Sequence, residues 1–220
     1  MATSAVRQFL VSTLTIVLLA QSAATADRRK IRAVNIGAQA VVTLISGLVQ
    51  GKVRSGADIA RCLLAGSASG YAFYEAKELV ADDHVRTGWM LTNVAMSLSE
   101  NAAAGRHPLS QFGYSVGPLR FRVPIPALDR EADSYVLVDF FEYEAIAMIY
   151  AYRDNDHMSF RDGLIVFERD SLYPADDDGI EAIGRTYGMF PGLSPLADEA
   201  TWPHEVIHAV QALQGDAAET

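Results

Sequence analysis

Cysteine is almost missing from this chain: Cys62 is the one cysteine in 220 residues. That excludes an intrachain disulfide framework and a Cys-rich zinc cluster. A lone cysteine is consistent with either redox compartment, and its plainest reading is a small buried hydrophobe. Basic charge is also scarce. Eighteen Lys and Arg stand against 27 Asp and Glu, for a net charge of -9. No basic stripe runs along the chain, so a nucleic-acid partner has no electrostatic support. Tryptophan is down to two residues and proline to eight. What is abundant is apolar: half the residues are hydrophobic and a fifth are charged. This is a globular composition, large enough for one or two domains of ordinary size.

The N-terminus reads as an export signal. Arg7 supplies positive charge, and Phe9 to Ala20 is a short apolar run, too short to span a bilayer comfortably. Ala24-Thr25-Ala26 then offers small residues before the polar Asp27-Arg28-Arg29-Lys30. The layout predicts a signal peptide over 1–26, cleaved after Ala26; the rival reading is an uncleaved anchor. Both send the chain across the inner membrane, to a periplasmic or membrane-associated location.

Residues 27–107 form an Ala- and Gly-rich region that predicts three helices, near Val34–Gln50, Gly56–Val80 and Thr87–Ala104. Gly51, Gly56 and Asp82-Asp83 mark the breaks. Gly47 and Gly51, and Gly66 and Gly70, are four apart, the spacing that lets two helix backbones approach closely. Charges at Arg54, Asp58, Arg61, Glu75, Lys77 and Glu78 make the second helix a poor transmembrane span. The first, with Gln39, Thr43 and Ser46, is borderline. A compact helical hairpin resting on a membrane surface is the favoured reading.

Residues 108–220 change regime. Pro108, Gly113, Gly117 and Pro118 punctuate the chain. Leu119 to Ile125 alternates apolar and basic residues, a half-buried strand pattern, with Pro124 at a strand end. Tyr135–Val138 reads as a second strand. Asp139 and Glu142 have the spacing of a capping-box variant, opening a helix through about Tyr152. Phe141, Ala145, Met148 and Tyr152 share its face; a β-rich reading of this stretch competes. His157–Phe160 and Leu164–Phe167 flank Asp162-Gly163, a hairpin-turn dipeptide. Asp176-Asp-Asp-Gly179 suits a solvated turn better than a calcium loop, since the rest of an EF-hand is missing. Ile183 to Phe190 predicts a further strand, ended by Pro191-Gly192. A helix start follows at Ser194-Pro195, with a break near Ala200 before Pro203. Thr201 would cap the last helix and Gly215 would stop it. The class is α+β.

That last helix carries the chemistry. His204 and His208 are four apart, which on a helix puts both imidazoles on one face, one turn apart. Both can reach one metal ion. Glu205 stands beside the first His, placed to take a proton from a zinc-bound water rather than to ligate. Val206, Ile207, Val210 and Leu213 give the helix an apolar side to bury. The plain reading is an amphipathic helix with two exposed His. His84 and His107 sit in polar, loop-like surroundings, and His157 begins a strand.

His204-Glu-Val-Ile-His-Ala-Val-Gln211 resembles the active-site helix of zincin metallopeptidases, in the His-Glu-x-x-His-x-x-Gln form found in small bacterial metallopeptidase-like domains. The preceding order, a backing helix at 140–152 and strands at 157–167 and 183–190, is similar to a minimal zincin core. The resemblance covers roughly 118 to 214. It implies zinc (Zn2+) held by His204 and His208, Glu205 as catalytic general base, and a peptide or protein substrate. A catalytic zinc needs a third protein ligand. Only Glu219 offers a Glu downstream, about 16 Å along a continued helix, too far to share the ion. Asp216 has nothing to favour it. The third ligand lies upstream, or the site is degenerate, or, as favoured, the chain is a C-terminally incomplete domain. Two functions are thus expected: a cell-envelope zinc metallopeptidase, or a non-catalytic envelope protein whose Gly-rich helices contact membrane or partner.

Overall fold

A computed structural model describes residues 28–128, 135–140, 145–146, 148–149, 152–153, 157–168, 184–187, 190–193, 206–207 and 210. The expected signal peptide, the acidic loop at 176–179 and the helix start at 194–200 lie outside them. Among the described residues the architecture is α+β: three helices over 28–103, then two small sheets with short helical pieces between and after their strands.

The helices are α1 (Arg28–Val49), α2 (Gly56–Ala81) and α3 (Val85–Ala103), close to the expected bounds except that α1 begins six residues before Val34. Each break has a local cause. Gly51 takes a φ of +66°, the left-handed conformation that ends α1. Ser55 caps α2: its hydroxyl accepts from Asp58 N–H at 3.2 Å, while the Asp58 carboxylate accepts from Ser55 N–H at 2.9 Å. The Arg54 backbone N–H, first, and the Ser55 hydroxyl hold the Asp58 carboxyl down at about 2. Asp83 (φ 64°) turns the chain into α3.

Two of the expected glycine pairs behave differently. A Cβ at Gly66 would stand 2.7 Å from Ala40 Cα, and one at Gly70 would run into the Asn35 carbonyl, so α1 and α2 touch backbone to backbone there. Gly47 is packed against Val53 and Cys62, whereas Gly51 is open and serves only the turn.

The first sheet has the order β1-β2-β3, all antiparallel: β1 (Gln111–Val116), β2 (Leu119–Pro124) and β3 (Leu137–Phe140). Strand β1 was not expected, because Gly113 reads as a loop signal. Gly113 is there because the Arg120 guanidinium of β2 lies over it, where a Cβ would clash. Strand β3 lies two residues beyond the expected Tyr135–Val138. Asp139 is inside β3, where its carboxylate pairs with Arg122, so it is no helix cap. Residues 145, 146, 148, 149, 152 and 153 are helical, but Tyr152 is exposed.

The second sheet has the order β4-β5-β7-β6, from β4 (His157–Arg161), β5 (Leu164–Glu168), β6 (Gly184–Tyr187) and β7 (Phe190–Leu193). The β5–β7 pair is parallel and the others antiparallel. Asp162 and Gly163 form the β4–β5 turn with φ of 54° and 97°, as an Asp-Gly type I′ turn requires. Pro191 and Gly192 do not end a strand; they lie within β7.

One apolar cluster joins these parts. Phe73 and Val80 of α2, and Val85, Trp89, Ala95 and Met96 of α3, pack with Leu164 and Val166 of β5 and with Val206 and Val210. Side chains from both the 27–107 and the 108–220 stretches therefore share it.

Candidate metal site

His204, Glu205 and His208 lie outside the described residues. Their neighbours do not. Val206, Ile207 and Val210 are in helical conformation, and Val206 and Val210 are fully buried in the cluster around Phe73, Trp89 and Leu164. The apolar side expected of this helix from Val206, Ile207 and Val210 is thus present, with Ile207 half-buried beside it. Two valines four residues apart meet the same neighbours because a helix brings i and i+4 together.

The other expected histidines are placed as read. His84 precedes α3 in an exposed position and makes no side-chain cap bond. His107 is exposed, and its Nδ1 accepts from Leu109 N–H at 3.2 Å. His157 opens β4 opposite Glu168. Cys62 is fully buried between α1 and α3, its Sγ donating to Ala102 O at 3.5 Å, and burial pushes its thiol up. Among the described residues, no three His, Cys, Asp or Glu side chains come together as a metal could use.

What sequence reading missed is a buried polar seam between α3 and the first sheet. Asn93, Ser97 and Asn101 are four apart along α3. Asn93 Oδ1 accepts from Ser115 N–H at 2.9 Å, Ser97 Oγ accepts from Gly113 N–H at 2.8 Å, and Asn101 Nδ2 donates to Gln111 O at 2.8 Å. A helical stripe thereby serves as the missing neighbour of edge strand β1. Arg120 is buried against the same stripe. It donates to Glu100 (2.8 and 3.1 Å), to Ser115 Oγ at 2.9 Å and to Ser97 Oγ at 3.2 Å. Burial raises the Glu100 carboxyl while Arg120 opposes that rise. None of Asn93, Ser97, Asn101, Glu100 and Arg120 has a buried side-chain atom left without a partner, which marks the seam as structural. The i, i+4, i+8 spacing of Asn93, Ser97 and Asn101 is the one signal that could have found it.

No family model matches the chain, and no similar curated protein or solved structure is found.

Proposed function

We propose that the chain is a cell-envelope zinc-dependent peptide hydrolase, with His204 and His208 as ligands and Glu205 as general base. The observation that carries this is the burial of Val206 and Val210 in helical backbone. A helix turns about 100° per residue, so on a helix unbroken from 204 to 210 a core-facing side centred between positions 206 and 210 would leave 204 and 208 about half a turn away, on one common stripe. On such a helix, two imidazoles would be carried clear of the core by a rigid support, the arrangement a shared metal needs. Zinc bound there would polarise a peptide carbonyl and lower the pKa of its water to about 7. The chain's own part is narrower. His204 and His208 would hold and orient, and Glu205, on neither the core-facing side nor the His stripe, would accept a proton. Export is supported by the apolar N-terminal sequence and by α1, which by length and composition is apolar enough over an 18-residue stretch to cross a membrane.

Zinc analysis of the purified protein tests this. About one zinc per chain is expected, lost in His208→Ala. Glu205→Gln cannot accept the proton but keeps shape and polarity, so zinc content should hold while peptide hydrolysis drops at least about 10²-fold. Equal zinc in wild type and His208→Ala ends the metal reading; full activity in Glu205→Gln ends the mechanism.

A further inference from the structure

On α1 the polarity is turned inside out, although α2 and α3 bury apolar side chains such as Phe73, Trp89 and Met96, and this is independent of the metal reading. The inner side of α1 is Asn35, Gln39, Thr43 and Ser46, all buried. Gln39 Nε2 donates to Ser99 Oγ of α3 at 3.1 Å, and Thr43 Oγ1 shares a hydrogen bond with the same oxygen at 2.7 Å. Ser69 Oγ of α2 donates to Ala95 O at 2.7 Å. Hydrogen bonds and glycine contacts hold these helices together, the means used where the surrounding solvent is itself apolar. The outer side is the reverse. Val41, Leu48 and Val49 of α1, and Ile59, Leu63 and Leu64 of α2, are exposed, Leu64 to 72%. A chain folding in water alone would bury this surface and solvate the polar one.

Charge then selects the apolar phase. No charged residue lies between Ala33 and Val49 of α1, nor between Cys62 and Tyr74 of α2. These bands run about 25 Å and about 20 Å along the helices. The Lys52–Arg54 end is basic, while at the other end Arg28 and Arg32 pair with Glu78 and Glu75 of α2. Between Arg28 and Arg61 seven Lys and Arg stand against a single acid, Asp58, in a chain whose net charge is -9. Arg28, Arg29 and Lys30 at one end, and Lys52 and Arg54 at the other, are exposed. An apolar strip with exposed Lys52 and Arg54 at one end, and Arg29 and Lys30 beside the Arg28–Glu78 and Arg32–Glu75 pairs at the other, complements a bilayer whose headgroups are anionic.

The sheet decides how the strip can lie. Strand β1 is bonded along α3 at Asn93, Ser97 and Asn101, so the open β1-β2-β3 sheet stands beside the bundle, level with its helices. Were the bundle to span the membrane, that sheet would enter the hydrocarbon, which does not accept open sheet edges. We infer that the outer face of α1 and α2 is a monotopic lipid-binding surface, lying in the plane of one leaflet of an anionic bilayer.

The apolar run Phe9–Ala20 could by itself hold the full chain on vesicles, so the test reads position rather than binding. An environment-sensitive nitrobenzoxadiazole label is placed at Val41→Cys, Leu64→Cys and, on the far helix, Thr87→Cys, each in a Cys62→Ser background of the full chain. With phosphatidylcholine–phosphatidylglycerol vesicles, the labels at 41 and 64 should shift to the blue and be quenched by lipids carrying a shallow doxyl group. The label at 87 should stay aqueous. The shift should weaken with phosphatidylcholine alone and at high salt. Labels at 41 and 64 as aqueous as that at 87 would overturn the inference. So would stronger quenching from the bilayer centre, which means spanning, a shift without vesicles, which means a second copy covers the face, or equal shifts with and without anionic lipid.

Discussion

Among the described residues Arg120 is the largest charged side chain that is fully buried, only 1% exposed, and its partner Glu100 is 11% exposed. Removing one member of such a pair strands the other without its counter-ion. Arg120→Met should therefore lose about 3–5 kcal/mol of unfolding free energy, and adding Glu100→Leu should restore much of it. Urea titration of the two single variants and the double variant measures the coupling. Lys77 is a second residue whose environment opposes its charge. Burial lowers its pKa from 10.5 to about 8, and its Nζ donates to Asn35 Oδ1 at 3.2 Å. Between those two values the unfolded chain binds more protons than the folded one, so this residue's contribution makes stability rise with pH. Below about 8 both states are charged and the cost is present in full. Lys77→Met should thus be more stable than wild type at neutral pH, with a gap in Tm that closes as pH climbs above 8. A gap independent of pH would show that the charge is not what burial penalises.

At the scale of the element, the glycines of the α1–α2 pair divide by what faces them. Gly37 is exposed in α1 with nothing within 4 Å of a Cβ, while Gly70 of α2 abuts the backbone of Asn35 and Ile36. Gly37→Ala should stabilise by up to about 1 kcal/mol, the helix propensity difference. Gly70→Ala should destabilise by about 1–3 kcal/mol, because backbone cannot move aside as a side chain can. Opposite shifts in the urea midpoint are expected; shifts of the same sign would mean that close helix approach is not limiting. Strand β2 carries a related lesson. Its alternation of apolar and basic residues is real, but the buried side is Arg120, while Leu119 and Val123 are exposed. Period two says that a strand has two faces. It cannot say which one a polar neighbour such as α3 will claim.

For the whole molecule, the cluster around Trp89 makes the two stretches of chain depend on each other. Phe73 and Val80 meet Leu164, Val166, Val206 and Val210, so losing the late segments uncovers the helices. Unfolding should be one transition. Far-ultraviolet dichroism, which follows the helices, and Trp89 fluorescence in a Trp202→Phe background should coincide along a urea series. Two separated transitions would show that the helices keep their structure without this shared core.

Three helices with most of their bounds, the Asp162-Gly163 hairpin and the α+β class were legible in the sequence, because each depends on local chemistry: an Ala-rich run, glycine and Asp-Asp breaks, a dipeptide that accepts positive φ. The His204-Glu205-His208 spacing is likewise a property of the sequence alone. Tertiary structure decided the rest. Strand β1 depends on a glycine that yields to Arg120, and Asp139 is a strand residue because Arg122 stands beside it. The polar residues of α1 and α3 show their role only when each is seen bonded to a partner far along the chain, Gln39 to Ser99 and Asn93 to Ser115. Hydrophobic patterning tells apolar from polar sides. Which side turns inward depends on hydrogen bonds between distant segments, and these exist only once the chain has folded.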